Sequence, residues 1–222
     1  MLEQKKAAIF DMDGTLMDSM WMWRDIDIEY LGRFGRDLPR ELQFEIEGMG
    51  FTETACYFKE KFQIPQTVEE IKADWNKMAY DIYANRVFLK PGALELLREM
   101  KARGMKLGIA TSNHIDLAMA ALVSNQVEGM FDCILTSCDV ARGKPSPDVY
   151  LAVADRLQVE PEECIVFEDV PMGILAGKNA GMQVCAVEDA FSLERKKEIC
   201  SLADYYIRSF QEVLEQTYEV TK

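Results

Sequence analysis

Asp11 and Asp13 flank a single methionine, directly after the apolar run Ala7 to Phe10 and directly before Gly14 and Thr15. Carboxylates at the end of a buried run are costly unless they are paired, hydrogen-bonded or bound to a metal. The spacing therefore demands partners, and the chain offers three groups of them. These are Thr111-Ser112-Asn113, Lys144 in the stretch Gly143 to Pro147, and the acidic pair Glu168-Asp169. A fixed ammonium, hard oxygen ligands and hydroxyl or N–H donors are the parts needed to hold a cation and an anion together. The partners of Asp11 and Asp13 are accordingly read as a metal, Lys144 and a bound anion.

Each group lies at or after a run that reads as a strand: "KLGIAT" (106–111), "CILTS" (133–137), "CIVFED" (164–169), with "QVCAVE" (183–188) beyond them. Helical stretches separate the strands, among them "GALELLREMKARG" (92–104), a run over 115–124, "DVYLAVADRL" (148–157) and "ILAGKNAG" (174–181). This alternation predicts a parallel sheet covered by helices on both faces, and apolar runs without polar alternation fit strands buried on both sides. Ligands of open α/β sheets sit outside the carboxyl ends of the strands, so all the groups converge on one crevice.

The interval from the first strand to Pro91 breaks the rhythm. A βαβ crossover takes about 30 residues, and this interval is far longer. Its apolar positions, such as Trp23, Ile26, Tyr30 and Phe34, have helical spacing. Turn signals at Leu38-Pro39, Gly48-Met49-Gly50 and Ile64-Pro65 divide it into about four helices. A helical insertion is expected from Met17 to Phe88, with the triplet Trp21 to Trp23 mostly in its core.

At 222 residues, 49% apolar and 28% charged, the chain has the balance of a folded protein with room for a core domain and a smaller inserted one. The net charge of −13 argues against nucleic acid or an anionic membrane as partner, since both are bound by clustered Lys and Arg. No run approaches the roughly 18 apolar residues of a membrane span, and the amino terminus lacks the apolar region of a signal peptide. Six cysteines without a CxxC pair, beside one histidine, read as reduced thiols. The expectation is a cytoplasmic protein, and nothing in the sequence demands more than a monomer.

DMDGT, then TSN, GKPSPD and FEDVPMGI, in that order, resemble the motifs of the haloacid dehalogenase superfamily, in its branch with a helical cap inserted after the first motif. The resemblance spans Ala7 to about Val187 and is strongest to small-molecule phosphatases and β-phosphoglucomutase-like enzymes. It implies a doubly wound, parallel, Rossmann-like α/β core made of residues 1–16 and 89–222, with a helical cap domain at 17–88.

The expected activity is a Mg²⁺-dependent phosphatase acting on a small phosphate monoester through an aspartyl phosphate. Asp11 is the expected nucleophile. Asp13 protonates the leaving alkoxide and later takes a proton from water, a role that a halide leaving group would not need. Lys144 counters the accumulated negative charge, and Ser146 and Pro147 are expected to start the helix behind it. Thr111 holds phosphate oxygens, with Gly14, Ser112 and Asn113 as further binding positions, the last two fitting helix capping equally well. By the resemblance Asp11 and Asp169 bind Mg²⁺ through side chains, Asp13 through its carbonyl, and Glu168 directly or through water. Val170-Pro171 replace the serine that often follows this acidic pair. Trp23, Met49 and Gly50 are the expected substrate contacts from the cap. His114 stays outside the catalytic set.

The alternative is a β-phosphoglucomutase-like mutase, which needs a second cationic site in the cap. The segment Glu41 to Phe58 has no Lys or Arg, and Trp23 stands where those mutases carry a histidine. A phosphonate hydrolase would need a cap lysine where Phe51-Thr52-Glu53 stands. A binding protein with a degenerate site is disfavoured because every catalytic position holds the required residue type.

Overall fold

A computed structural model describes residues 1–221. In chain order it contains β1 (Ala7–Phe10), β2 (Met17–Asp18), the helices α1 (Met20–Gly32), α2 (Leu42–Ile46), α3 (Phe51–Phe62) and α4 (Val68–Asn85), then β3 (Phe88–Leu89) and α5 (Ala93–Ala102). There follow β4 (Lys106–Thr111), α6 (Ile115–Ser124), β5 (Cys133–Thr136), α7 (Asp148–Leu157), β6 (Cys164–Glu168), α8 (Pro171–Asn179) and β7 (Gln183–Val187). The chain ends with α9 (Lys196–Leu202), β8 (Tyr205–Ile207), α10 (Gln211–Glu215) and β9 (Glu219–Val220).

Seven strands form one sheet in the order β5-β4-β1-β6-β7-β8-β9, and the pairs are parallel except the last. This is the doubly wound α/β architecture expected from the alternation. β1 lies near the middle, and its residues alternate between the two faces as the strand period requires. Ala7 and Ile9 pack with Val149 and Val153 of α7 and Ile174 of α8. Ala8 and Phe10 pack on the opposite face, where Phe10 stacks on Phe167 with centroids 4.8 Å apart and planes 7° from parallel. With both faces covered, a polar residue in β1 would be buried without water. The first polar positions, Asp11 and Asp13, accordingly stand at the strand's carboxyl end.

The four helices α1–α4 lie between β2 and β3, which pair antiparallel with Met17 opposite Leu89 and Asp18 opposite Phe88. In α4, Ile71, Trp75, Ala79 and Tyr83 recur every fourth residue and are buried, the stripe of an amphipathic helix. Trp75 meets Phe58 edge to face at 4.9 Å and Phe51 at 5.7 Å. Thr67 and Glu70 cap the start of α4 reciprocally. Met22 belongs to this core, whereas Trp21 lies beneath the Arg86 guanidinium.

Some local expectations shift. The helix expected over 174–181 begins three residues earlier, at Pro171, whose fixed φ suits a first helical turn. Ser146 does not cap α7: its hydroxyl donates to Asp148 Oδ1 at 2.5 Å, and Pro147 takes the cap position. The two-residue strands β2 and β3 and the elements after Val187 carry too few residues for a readable period. Among the described residues no helix is long and apolar enough to cross a membrane.

Candidate active site

Strand register sets the first geometry. Phe10 pairs with Ile109 of β4 and Phe167 of β6, so Asp11 emerges at the carboxyl edge beside Ala110 and Glu168, its own N–H donating to Phe167 O at 3.0 Å. Lys144 arrives from the loop before α7 and directs Nζ at three acceptors: Asp11 Oδ1 at 2.5 Å, Glu168 Oε1 at 2.6 Å and Ala110 O at 3.2 Å. These use the three protons of the ammonium. Glu168, fully buried, also accepts from Tyr150 OH at 2.7 Å and from the Asp169 N–H at 3.1 Å.

Asp169 is held on one side only. Its Oδ1 accepts from Thr15 Oγ1 at 2.8 Å, while its Oδ2 is buried with no hydrogen-bond partner. Gly14 makes room for it. The φ of Gly14 is +80°, and a Cβ there would lie 2.4 Å from Asp169 Oδ2, so glycine is required both for its backbone and for the close approach.

Asp13 turns toward the helical insertion. Ser19 Oγ donates to its Oδ1 at 2.5 Å, the Tyr83 phenol of α4 donates to the same oxygen, and Asn113 Nδ2 donates to Oδ2 at 2.8 Å. Tyr83 in turn accepts from Trp23 Nε1 at 2.9 Å and from Asn113 Nδ2 at 2.8 Å. Thr111 Oγ1 accepts from the Asn113 N–H at 3.1 Å, and the Ser112 carbonyl accepts from the Phe51 N–H at 2.9 Å, joining β4 to the insertion. His114 is the cap of α6, its Nδ1 accepting from the Asp116 N–H at 3.3 Å.

The electrostatics follow from four carboxylates sharing one lysine. Burial pushes Asp11 up to about 8, opposed by Lys144 and reinforced by Glu168. Burial also raises Asp13 against its three donors, and raises Asp169 well above the carboxylate range with help from Glu168 and Asp11. The Lys144 ammonium pays for its own burial, yet Asp11 and Glu168 together hold its pKa above the ordinary value. Excess negative charge of this kind calls for a cation. Asp11, Glu168 and Asp169 each offer an oxygen within 4.8 Å of the others, and the unpartnered Asp169 Oδ2 is the hard donor that Mg²⁺ takes. The oxygens of Glu168 are engaged by protein donors. The residues present therefore fit a divalent cation, held chiefly by Asp11 and Asp169.

Asp11, Asp13, Thr111, Ser112, Asn113, Lys144 and Asp169 all line one cavity of 220 Å³ between the sheet edge and the insertion. Of the expected cap contacts, Trp23 and Met49 line it; Gly50 does not, and instead packs on Ser137, where a Cβ would come within 2.9 Å. Gly14 and Glu168 lie behind the wall. Sequence reasoning missed Ser19, Tyr83 and Tyr150, which hold Asp13 and Glu168, and Asp27, Gln43, Trp75 and Arg195, which line the cavity. Ser19 lies close enough to the first motif to have been a candidate. The others carry no local signal.

The sequence profile of the haloacid dehalogenase-like hydrolases matches residues 8–187. The chain is 31% identical over 222 residues to a probable pseudouridine-5'-phosphatase of Drosophila melanogaster, covering 94% of this chain and 95% of that protein. It is 31% identical over 210 residues to the bifunctional riboflavin kinase/FMN phosphatase of Arabidopsis thaliana, covering 93% of this chain but spanning only about half, 54%, of that longer protein. Among solved structures, CbbY from Rhodobacter sphaeroides, in complex with xylulose-(1,5)bisphosphate, superposes with a TM-score of 0.84 at 26% identity, over 94% of this chain and 96% of that one. The chain belongs to the haloacid dehalogenase-like hydrolases.

Proposed function

We propose that this protein is a Mg²⁺-dependent phosphatase that hydrolyses a small phosphate monoester through a phosphorylated Asp11. The observation that carries the reading is the pairing of a buried, lysine-held Asp11 with the unpartnered Asp169 Oδ2 on the wall of one cavity. Asp11 attacks phosphorus, the bond from phosphorus to the leaving oxygen breaks, and Asp13 delivers its proton to that oxygen. Water then attacks the aspartyl phosphate, Asp13 takes the water's proton, and phosphate leaves with Asp11 restored. Lys144 and Ser112 stabilise charge on the transferring group, and Thr111 orients its oxygens. Asp11 and Asp169, with the Asp13 carbonyl, would hold Mg²⁺, which would supply further charge neutralisation. Glu168 acts in this reading mainly by fixing Lys144.

Residues 17–88 form the cap, which we take to close over the cavity during transfer and open for exchange. The bonds from Phe51 to Ser112 and from the Met172 N–H to Glu47 Oε1 at 3.1 Å, which join insertion and core, support a closed arrangement. Hydrolysis is favoured over a mutase. Lys144 and Arg195 are the cations lining the cavity among the described residues, and Arg195 is engaged by Glu47 and Glu198. No free cation then remains for a second phosphate. The free thiols of the six cysteines suit the reducing cytoplasm, where we place the enzyme as a monomer. The test is phosphate release from a panel of esters with Mg²⁺, beside Asp11→Asn. Release by the wild type that is lost in the variant supports the reading; no release from any ester, or release undiminished in Asp11→Asn, sinks it.

A further inference from the structure

The insertion's side of the cavity holds polar groups that the chemistry at Asp11 does not use. Met20, Trp23 and Asp27 stand three and four residues apart along α1, on one face of the helix, and all three line the cavity. From α2 comes Gln43, whose amide donates to Asp27 Oδ2 at 3.1 Å, and from α4 comes Trp75. Asp27 is 5% exposed, and among the described residues no cation pairs with it. The indole N–H of Trp75 is buried without a partner. Leaving the indole N–H without an acceptor, and burying a carboxyl on one neutral donor, costs stability, whereas apolar residues could fill the same core without that penalty. A carboxyl with a single amide donor and an indole N–H with no acceptor, on residues that line one cavity, are what a hydroxyl, donor and acceptor at once, satisfies.

We propose that Asp27, Gln43 and Trp75 form a subsite for the leaving group, built for an uncharged polyhydroxylated alcohol, so that the substrate is a polyol monophosphate and not a bisphosphate. The proposal rests on the phosphatase reading above and adds to it the choice of leaving group. A second phosphate on that side would meet Asp27 and Glu47, with Arg195 already committed to Glu47. Burial pushes the Asp27 carboxyl up to about 7, against the pull of Gln43, so this wall resists fixed charge and suits neutral hydroxyls.

The experiment compares kcat/KM for a hexitol 6-phosphate, phenyl phosphate and fructose 1,6-bisphosphate, with Mg²⁺, in the wild type, Asp27→Leu and Gln43→Leu. The wild type is expected to prefer the hexitol ester over both others. In Asp27→Leu the ratio of hexitol to phenyl ester should fall ten-fold or more, chiefly through the hexitol KM. Gln43→Leu, at a half-buried position of the short helix α2, should lower the same ratio and serves as readout if Asp27→Leu does not fold. Ratios within two-fold of wild type in the folded variants, or faster turnover of the bisphosphate, overturn the subsite while leaving the phosphatase intact. Absence of phosphate release from all three esters in the wild type overturns both.

Discussion

Tyr83 on α4 and Asp13 after β1, 70 residues apart in the chain, share a part-buried hydrogen bond between the phenol and Asp13 Oδ1. The same phenol accepts from Trp23 on α1 and from Asn113 after β4. One hydroxyl thus ties the helical insertion to the carboxylate proposed to shuttle the proton.

Tyr83→Phe keeps the ring and deletes this junction. It should lower kcat about ten-fold with little change in KM, and cost about 1–3 kcal/mol of stability because Trp23 Nε1 loses its acceptor. Steady-state kinetics beside urea unfolding decides; an unchanged kcat would show that the insertion does not position Asp13.

Lys144→Met strands Asp11 and Glu168 as buried, unpaired carboxylates. The expected cost is about 3–5 kcal/mol together with loss of phosphate release. Adding Glu168→Gln should recover part of the stability and none of the activity, a contrast that denaturant curves and a phosphate assay can resolve. Recovery of activity in the double variant would deny Lys144 its place beside Asp11.

Gly14→Ala forces a Cβ against Asp169 Oδ2 at a residue with φ of +80°. The Mg²⁺ concentration for half-maximal activity should rise at least ten-fold. Calorimetric titration with Mg²⁺ is the direct check, and wild-type affinity in the variant would place the cation away from Asp169.

Magnesium should also stabilise the fold. A ligand at 100 times its Kd adds about 2.7 kcal/mol, so Tm should rise on titration and fall again with EDTA. Asp169→Asn should lose most of this response; an equal response in the variant contradicts the assigned ligand.

Asp27 makes a pH prediction of its own. Its carboxyl moves from an ordinary 3.8 to about 7 on folding, so between those values the folded state holds more protons than the unfolded state. Stability must then fall as pH rises through that window, by about 1.4 kcal/mol per pH unit and roughly 4 kcal/mol in all. Asp27→Asn lacks this slope, so the gap between the two proteins should shift in the variant's favour from pH 4 to pH 8. Parallel Tm-versus-pH curves would refute the raised pKa.

What the sequence determined by itself is what depends on neighbours in the chain. Ala7 to Phe10 fits a strand buried on both faces, the polar residues following it must lie at the strand's end, and the turn signals at Leu38-Pro39, Gly48-Met49-Gly50 and Ile64-Pro65 divide the insertion into helices. The residue types at positions 11, 13, 111, 144, 168 and 169 likewise announced one anionic site, because a parallel sheet brings its strand ends to one edge whatever its exact register. Packing alone decided which oxygen faces which donor. Register across β4, β1 and β6 set Asp11 beside Glu168, and Lys144 then bridged the two. Tyr83, Asp27 and Trp75 are ordinary members of helical stripes when read along the chain. They became site residues only because α1 and α4 rotate one face of each helix onto the cavity, and that rotation is set by contacts among Tyr30, Phe51, Phe58 and Trp75, which no local pattern encodes.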